Sequence, residues 1–193
     1  MRAVDVHVGD SLAGLEVGVL RAARTIADLG SGAGLPGLVL AAALPATEVS
    51  LVEASRRTCE FLRTAVRAME LRNVHVLWMR AEEWQDGLGG CDVVTARALA
   101  SLPVLCEYAA PLLRDGGSLV AWKGEVAELE MANAAAAATH LGLAAMSVRR
   151  VTPYPGARRL TLHGFKKVAP TPTRYPRRPG IAVKRPLSVT TLR

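Results

Sequence analysis

Residues 25 to 37 read TIADLGSGAGLPG: an apolar run, Thr25 to Leu29, enters a glycine cluster, DLGSGAGLPG, that spans Asp28 to Gly37. Pro36 to Leu44 continues as a helix with proline near its first turn, so strand, loop and helix follow one another. The same succession recurs downstream. Glu48 to Glu53 (EVSLVE) is a second strand, Ser55 offers an N-cap, and Leu62, Ala65, Val66 and Met69 share one helical face. Val74 to Met79 reads as a third strand, Cys91 to Ala96 (CDVVTA) as a fourth, Leu102 to Leu113 as a helix and Gly117 to Lys123 as a fifth strand. Turn signals stand at Gly87, Gly89 and Gly90 and again at Asp115, Gly116 and Gly117. Glu125 to Leu141, with alanine at 134 to 138, is a strong helix former. Ala144 to Val151 and Arg158 to Lys167 resemble two strands joined by a proline-rich turn at Pro153 to Gly156. Alternation of strands and helices implies a parallel sheet covered on both faces, and the last pair implies an antiparallel edge hairpin. The predicted fold is Rossmann-like α/β, with no internal repeat.

Composition agrees with a single globular domain. The chain has 193 residues, of which 50% are hydrophobic, 21% charged and 4% aromatic, which excludes disorder, collagen-like repeats and coiled coil as descriptions of the whole. The longest nearly apolar run, Leu35 to Ala46, is broken by Pro36, Gly37 and Pro45 and is shorter than the roughly 18 to 20 residues of a membrane span. The start, MRAVDVHVGDSL, carries an acid and a histidine where a signal peptide needs an apolar core, and the expected location is the cytoplasm. Cys59, Cys91 and Cys106 have no metal-ligand or redox spacing and read as buried small hydrophobes. His7, His75, His140 and His163 likewise show no metal spacing, and no metal is expected.

Charge is divided along the chain. Residues 1 to 148 hold 12 Lys and Arg against 17 Asp and Glu, a net of −5, whereas residues 149 to 193 hold the other 12 bases and no acid. Seven of the eleven prolines also lie in that last stretch, so the segment from Val168 is expected to be an extended arm suited to a polyanion. Tyr175 among Arg174, Arg177 and Arg178 joins a stacking ring to phosphate-binding charge. Lys184 and Arg185, and Arg158 and Arg159 upstream, complete the candidate polyanion contacts.

The glycine cluster allows two registers. Gly32, Gly34 and Gly37 fit a dinucleotide pattern, while Asp28, Gly30, Gly32 and Gly34 fit the acid-x-G-x-G-x-G pattern of S-adenosylmethionine enzymes. Leu29 ends the apolar run, so Gly30 opens the tight turn, and the Asp28 carboxylate suits a cationic ligand better than a pyrophosphate. Glu53, at the end of the second strand, can accept from both hydroxyls of a ribose. Ala81 and Glu82, after the third strand, can meet an adenine by a backbone N–H and a carboxylate. Two other classes stay open: an NAD(P)-dependent oxidoreductase using the alternate register, and a non-enzymatic RNA-binding protein on the same scaffold.

These residues bring out a likeness. From about Val6 to Leu187 the chain resembles the RsmG (GidB) family of bacterial methyltransferases that modify a guanine at N7 in 16S ribosomal RNA. The likeness rests on DLGSGAGLPG, on RAEE at Arg80 to Glu83, TARALASL at Thr95 to Leu102, PLLRDGG at Pro111 to Gly117, WKG at Trp122 to Gly124, and on the tail PTPTRYPRRPGIAVKRPL. It implies a Rossmann-like S-adenosylmethionine-dependent methyltransferase fold, with S-adenosylhomocysteine as product and 16S RNA or the small ribosomal subunit as partner. It also implies cofactor contacts at Gly30, Leu35, Ala81, Glu82 and Arg97. Residues 1–24 then correspond to the remnant of an N-terminal helical segment, 25–167 to the methyltransferase domain and 168–193 to a basic, proline-rich arm. The departure is at the start, where Val6 to Leu12 stands for an R-H-x-L-D-S-L-like segment that helices precede in the family, with valine in place of arginine. Guanine N7 has a lone pair and no proton, so the expected reaction is direct displacement without a general base. Arg97 and Lys123 lie at the carboxyl edge of the sheet, and their expected roles are at the cofactor-substrate boundary and in orienting the base.

Overall fold

The computed structural model describes residues 3–154, 157 and 160–192. Its strands are β1 (Thr25–Leu29), β2 (Glu48–Glu53), β3 (Val74–Trp78), β4 (Cys91–Arg97), β5 (Leu113–Lys123), β6 (Leu143–Arg150) and β7 (Thr161–Lys167). They form one sheet in the order β3-β2-β1-β4-β5-β7-β6. β1 to β5 are parallel, and β7 runs antiparallel to both β5 and β6. The mostly parallel sheet with an antiparallel edge is the arrangement that the sequence implies. Arg158 and Arg159 lie outside the described residues.

Helices cover both faces. On one, α2 (Gly18–Ala22), α3 (Gly37–Ala43) and α4 (Arg56–Ala68) bury Leu20, Leu38, Leu40 and Leu62 against Ile26, Val49, Leu51 and Val93. On the other, α5 (Leu102–Leu112) and α6 (Glu128–His140) pack on Leu29, Val94, Leu119 and Phe165. Ser55 caps α4, its hydroxyl accepting from Thr58 N at 3.3 Å, as the sequence predicts. The first helix, α1 (Ala3–Leu12), is tied to the sheet through Trp122, whose Nε1 donates to Asp10 O at 2.7 Å. That seat requires Gly14, since a Cβ there would lie 2.2 Å from the Trp122 ring. Cys59, Cys91 and Cys106 are free and buried. No helix among the described residues is long and apolar enough to cross a membrane.

Two segments differ from the sequence reading. β5 begins at Leu113 rather than Gly117, because Leu113 pairs with Cys91 and Ser118 with Val93, so the turn-like residues 114–117 bulge out of a continuing strand. Asp92 supports the bulge by accepting from Arg24 N, Thr25 N and the Arg114 guanidinium.

The tail is the larger difference. In place of an extended arm, the chain after Val168 folds back over α5 and α6 as a strap that includes α7 (Ile181–Lys184). Tyr175, Ala182 and Leu187 are buried in the same apolar cluster as those helices. Proline content pointed to an extended arm, but it could not reveal an acid on α5 that holds the segment down. Glu107 is 1% exposed, and the Arg177 guanidinium grips it with two bonds, Nε to Oε1 at 2.7 Å and Nη2 to Oε2 at 2.5 Å. Removing one member of a buried pair leaves a charge without compensation, at a cost of about 3 to 5 kcal/mol. Arg177→Ala is therefore expected to lower the free energy of unfolding by about that amount in urea denaturation. A loss within about 0.5 kcal/mol, the range of ordinary surface changes, would show that the strap is not anchored there.

Candidate active site

The glycine cluster forms a turn between β1 and α3 in which Gly30, Gly32 and Gly34 have φ of +62°, +52° and +86°. The turn is fastened to β2, with Gly30 N donating to Val52 O at 2.8 Å. Glu53 then binds the turn and the start of α4 together: Oε2 accepts from Gly32 N at 3.1 Å and Oε1 from Ser55 N at 2.8 Å. A carboxylate offers about four acceptor positions, so each oxygen retains one for a diol.

A pocket of about 210 Å³ opens at this point, at the carboxyl ends of the strands. Gly30, Val52, Glu53 and Ala54 line one side and Met79 to Glu82 another, while Ala98, Leu99 and Tyr108 complete it. Leu99 rests on the bare face of Gly30, where a Cβ would lie 2.5 Å from its Cδ1. Apolar walls, a carboxylate with spare acceptor positions and an approachable backbone suit a nucleoside. Ala98 and Leu99 lie in the TARALASL segment but, like Tyr108, were not expected in the site: they enter through the loop after β4 and the packing of α5. Burial, and next the charge of Glu82, push the Tyr108 hydroxyl up to about 12.

Of the nine cofactor residues expected from sequence, Gly30, Glu53, Ala81 and Glu82 line this pocket. Asp28, Gly32, Gly34, Leu35 and Arg97 are not among its lining residues. Asp28, expected to face a cationic ligand, is instead turned into the protein: it is 1% exposed, its Oδ1 accepts from Thr95 Oγ1 at 2.7 Å and its Oδ2 from Gly37 N at 3.3 Å. Gly34 serves packing, since a Cβ there would lie 2.2 Å from Leu38 Cδ1. Arg97 turns to the N-terminal helix, donating to Asp10 Oδ2 at 2.9 Å and His7 O at 3.3 Å. The preceding acid-x-G spacing and the position after β4 gave no hint of either partner, because Thr95 and Asp10 are distant in sequence from Asp28 and Arg97. Glu82 lines the pocket but already accepts from Gly180 N of the strap at 2.9 Å.

Lys123 ends β5 with Nζ donating to Ala100 O at 3.2 Å and paired with Glu130 Oε1 at 3.0 Å, and Glu130 also accepts from Leu102 N. Lys123 and Glu130 thus bracket the loop that carries Ala98 and Leu99 into the pocket. In the strap, Tyr175 is 8% exposed, set between the Arg174 and Arg177 guanidinium groups at 5.3 and 5.9 Å and edge-on to His140. Its ring is not open for stacking on a base, and Arg177 is committed to Glu107. Arg174, Arg178, Lys184 and Arg185 are exposed. Among the described residues no group of three or more His, Cys, Asp or Glu could hold a metal ion.

The family model for GidB, rRNA small subunit methyltransferase G, matches residues 2–159. The chain belongs to this family. The ribosomal RNA small subunit methyltransferase G of Rubrobacter xylanophilus is 41% identical over 189 residues, covering 94% of this chain and 72% of that protein. The protein of the same name from Chloroflexus aggregans is 44% identical, covering 86% of this chain and 71% of its own length. Among solved structures, a predicted O-methyltransferase from Agrobacterium tumefaciens superposes with a TM-score of 0.65 at 25% identity, covering 83% of this chain and 81% of that one. A SAM-dependent O-methyltransferase from Thermotoga maritima has a TM-score of 0.63 at 16% identity over 84% of this chain and 66% of its own, a likeness of fold. This chain thus shares with them the fold of the sheet.

Asp28 gives the site a pH signature. Burial raises its carboxyl from 3.8 to about 6, against hydrogen bonds, first from Thr95, that lower it. The folded state therefore holds this proton more tightly than the unfolded chain, and the stability it contributes is complete below about pH 4 and lost as pH rises through about 6. Asp28→Asn has no such titration. The stability of the native protein relative to this variant, from urea unfolding at a series of pH values, is expected to fall by about 2 to 3 kcal/mol between about pH 4 and 7. A difference that is flat across that range would contradict the assignment.

Proposed function

We propose that this GidB-family chain methylates N7 of a guanine in the 16S RNA of the small ribosomal subunit, with S-adenosylmethionine as donor. The observation that carries the reading is the Glu53 carboxylate beside the glycine turn, at a pocket with apolar walls, in a chain matched over residues 2–159 to rRNA small subunit methyltransferase G. The names of the relatives support the RNA, and the family likeness supports the position on the base. When bound, S-adenosylmethionine supplies a methyl group on a cationic sulfur.

The residues of this chain bind, orient and exclude water. Glu53 would hold the ribose diol, while Met79, Ala81 and Leu99 would enclose the adenine and Glu82 would accept from its amino group. Guanine N7 carries an in-plane lone pair and no proton, so methyl transfer to it, with S-adenosylhomocysteine leaving, would need no general base from the chain, whose contribution would be positioning. Lys123 has three N–H donors, of which Ala100 O and Glu130 account for two, and the third suits the guanine O6. Arg97 would act from behind, by holding α1 against the end of β4 next to Ala98 and Leu99. Arg174, Arg178, Lys184 and Arg185 would meet RNA phosphates, and a cytoplasmic location follows from such a substrate.

Three measurements test this. Calorimetry with S-adenosylhomocysteine and with NAD should show binding of the first alone, and Glu53→Ala should weaken it by about 1 to 3 kcal/mol; unchanged affinity would remove Glu53 from the cofactor site. Purified protein incubated with S-adenosylmethionine and small-subunit RNA should yield 7-methylguanosine by nucleoside mass spectrometry. Lys123→Met should reduce kcat/KM about 10- to 100-fold, as expected for a lost hydrogen bond from a charged donor, with cofactor affinity retained. Absence of 7-methylguanosine with cofactor bound would overturn the proposed substrate position.

A further inference from the structure

The exposed side of α4 and the adjoining end of β3 form a basic, aromatic surface that none of the roles above uses. α4 packs through Cys59 and Leu62, each 0% exposed. Its opposite side presents Arg56, Glu60, Arg63 and Arg67 in one row at spacings of four, three and four, with Arg57 and Phe61 in the next row. Along about 16 Å of helix this is a ladder of guanidinium groups. At its first turn stands Trp78, the last residue of the edge strand β3, with Arg56 over the ring at 5.7 Å from its centroid. Trp78 and Phe61 are each 53% exposed. Residues 54 to 80 hold six arginines, Arg72 and Arg80 being the others, against Glu60 and Glu70, a net of +4 inside a stretch, 1 to 148, whose net is −5. Of these six only Arg56 is in an ion pair among the described residues, with Glu60.

The surface touches the pocket. Trp78 Nε1 donates to Ala54 O at 3.0 Å, and Ala54 and Arg80 line the pocket wall. It also lies across the sheet from the strap, since α4 belongs to the apolar cluster of α2 and α3 while Tyr175, Ala182 and Leu187 belong to that of α5 and α6. We propose that this face, centred on Trp78 and the arginines of α4, binds single-stranded RNA flanking the target nucleotide. The inference rests on the rRNA methyltransferase reading for its substrate, but its physical basis is separate. Unpaired guanidinium groups suit phosphates, and an indole held open at the rim suits the face of an unstacked base, a combination that binds single strands with little regard to sequence. A duplex keeps its bases stacked and offers the ring nothing. A base that must be exposed to reach the pocket has flanking nucleotides free to be caught in this way. RNA is then held from both sides of the sheet, by α4 on one and by the strap cations on the other.

The test uses the full chain and fluorescein-labelled oligouridylate, which contains no guanine and so reports binding apart from methylation. Trp78→Ala should weaken binding about 5- to 100-fold in anisotropy, with Trp78→Phe keeping most of it, and should affect an RNA duplex less. Arg57→Ser and Arg63→Ser should each reduce the salt slope of log K by about 0.7, with S-adenosylhomocysteine affinity unchanged. Trp78 fluorescence should be quenched on binding; the other tryptophans, Trp84 and Trp122, are half-buried and buried. Unchanged affinity and slope in folded variants that still bind S-adenosylhomocysteine would show a merely solvated face. Polyglutamate and oligouridylate bound alike, both weakened by the arginine changes and neither by Trp78→Ala, would assign a protein partner and overturn the proposal. Should the protein form no 7-methylguanosine yet bind oligouridylate through Trp78, the surface stands and the proposed reaction falls.

Discussion

A buried carboxylate holds the centre of this molecule together. Asp28 lies on the middle strand of the parallel half, accepts from Thr95 of the neighbouring strand and from the first N–H of α3, and so fixes where the chain must be on leaving β1 and where it must be on entering the helix. The loop between has only seven residues, Gly30 to Pro36, to join those two points, and it does so through left-handed glycines. Glu53 fastens the crest of that loop to the start of α4. Two acids from adjacent strands thus perform different work: Asp28 supports from below and has no remaining freedom, while Glu53 at the rim keeps acceptor positions to spare.

The sequence made the local features legible where the cause is local. β2 and its neighbour helix follow from the segment EVSLVE and a serine cap, and the bounds Glu48 and Glu53 are those read from the sequence. Gly30 and Glu53 follow from spacing, since a tight turn and a strand end leave little choice of direction. Arg97 and Asp28 did not, because a residue's type and place on a strand do not say which side chain from another part of the chain will reach it. The start of β5 was hidden for a related reason: Asp115, Gly116 and Gly117 have turn chemistry, and only pairing with β4 keeps them in a bulged strand.

The tail shows how a composition can be read and the structure it adopts still be missed. Excess positive charge did suggest a surface for a polyanion, and four of its cations are exposed. Glu107, one acid in an otherwise apolar helix, converts the same segment into part of the core by drawing Arg177 inward. Gly180 then meets Glu82, so a segment that looked peripheral borders the pocket. On α4 the averaging worked the other way, for a net negative stretch concealed a row of arginines that only helical periodicity and the position of Trp78 assemble into one face.

The strand order carries a consequence for how the chain can be assembled. β7 lies between β5 and β6, so β6 has no partner in the sheet until a strand made after it has been inserted. During synthesis β5, although its pairing with β4 is complete, presents an open edge of N–H and C=O groups while α6, β6 and the intervening turn are still emerging. Closing that edge joins Ser118 to Lys166 and Lys123 to Thr161, a pairing of long sequence range and correspondingly slow. In a cell this leaves an interval in which an unpaired strand edge is available to other chains.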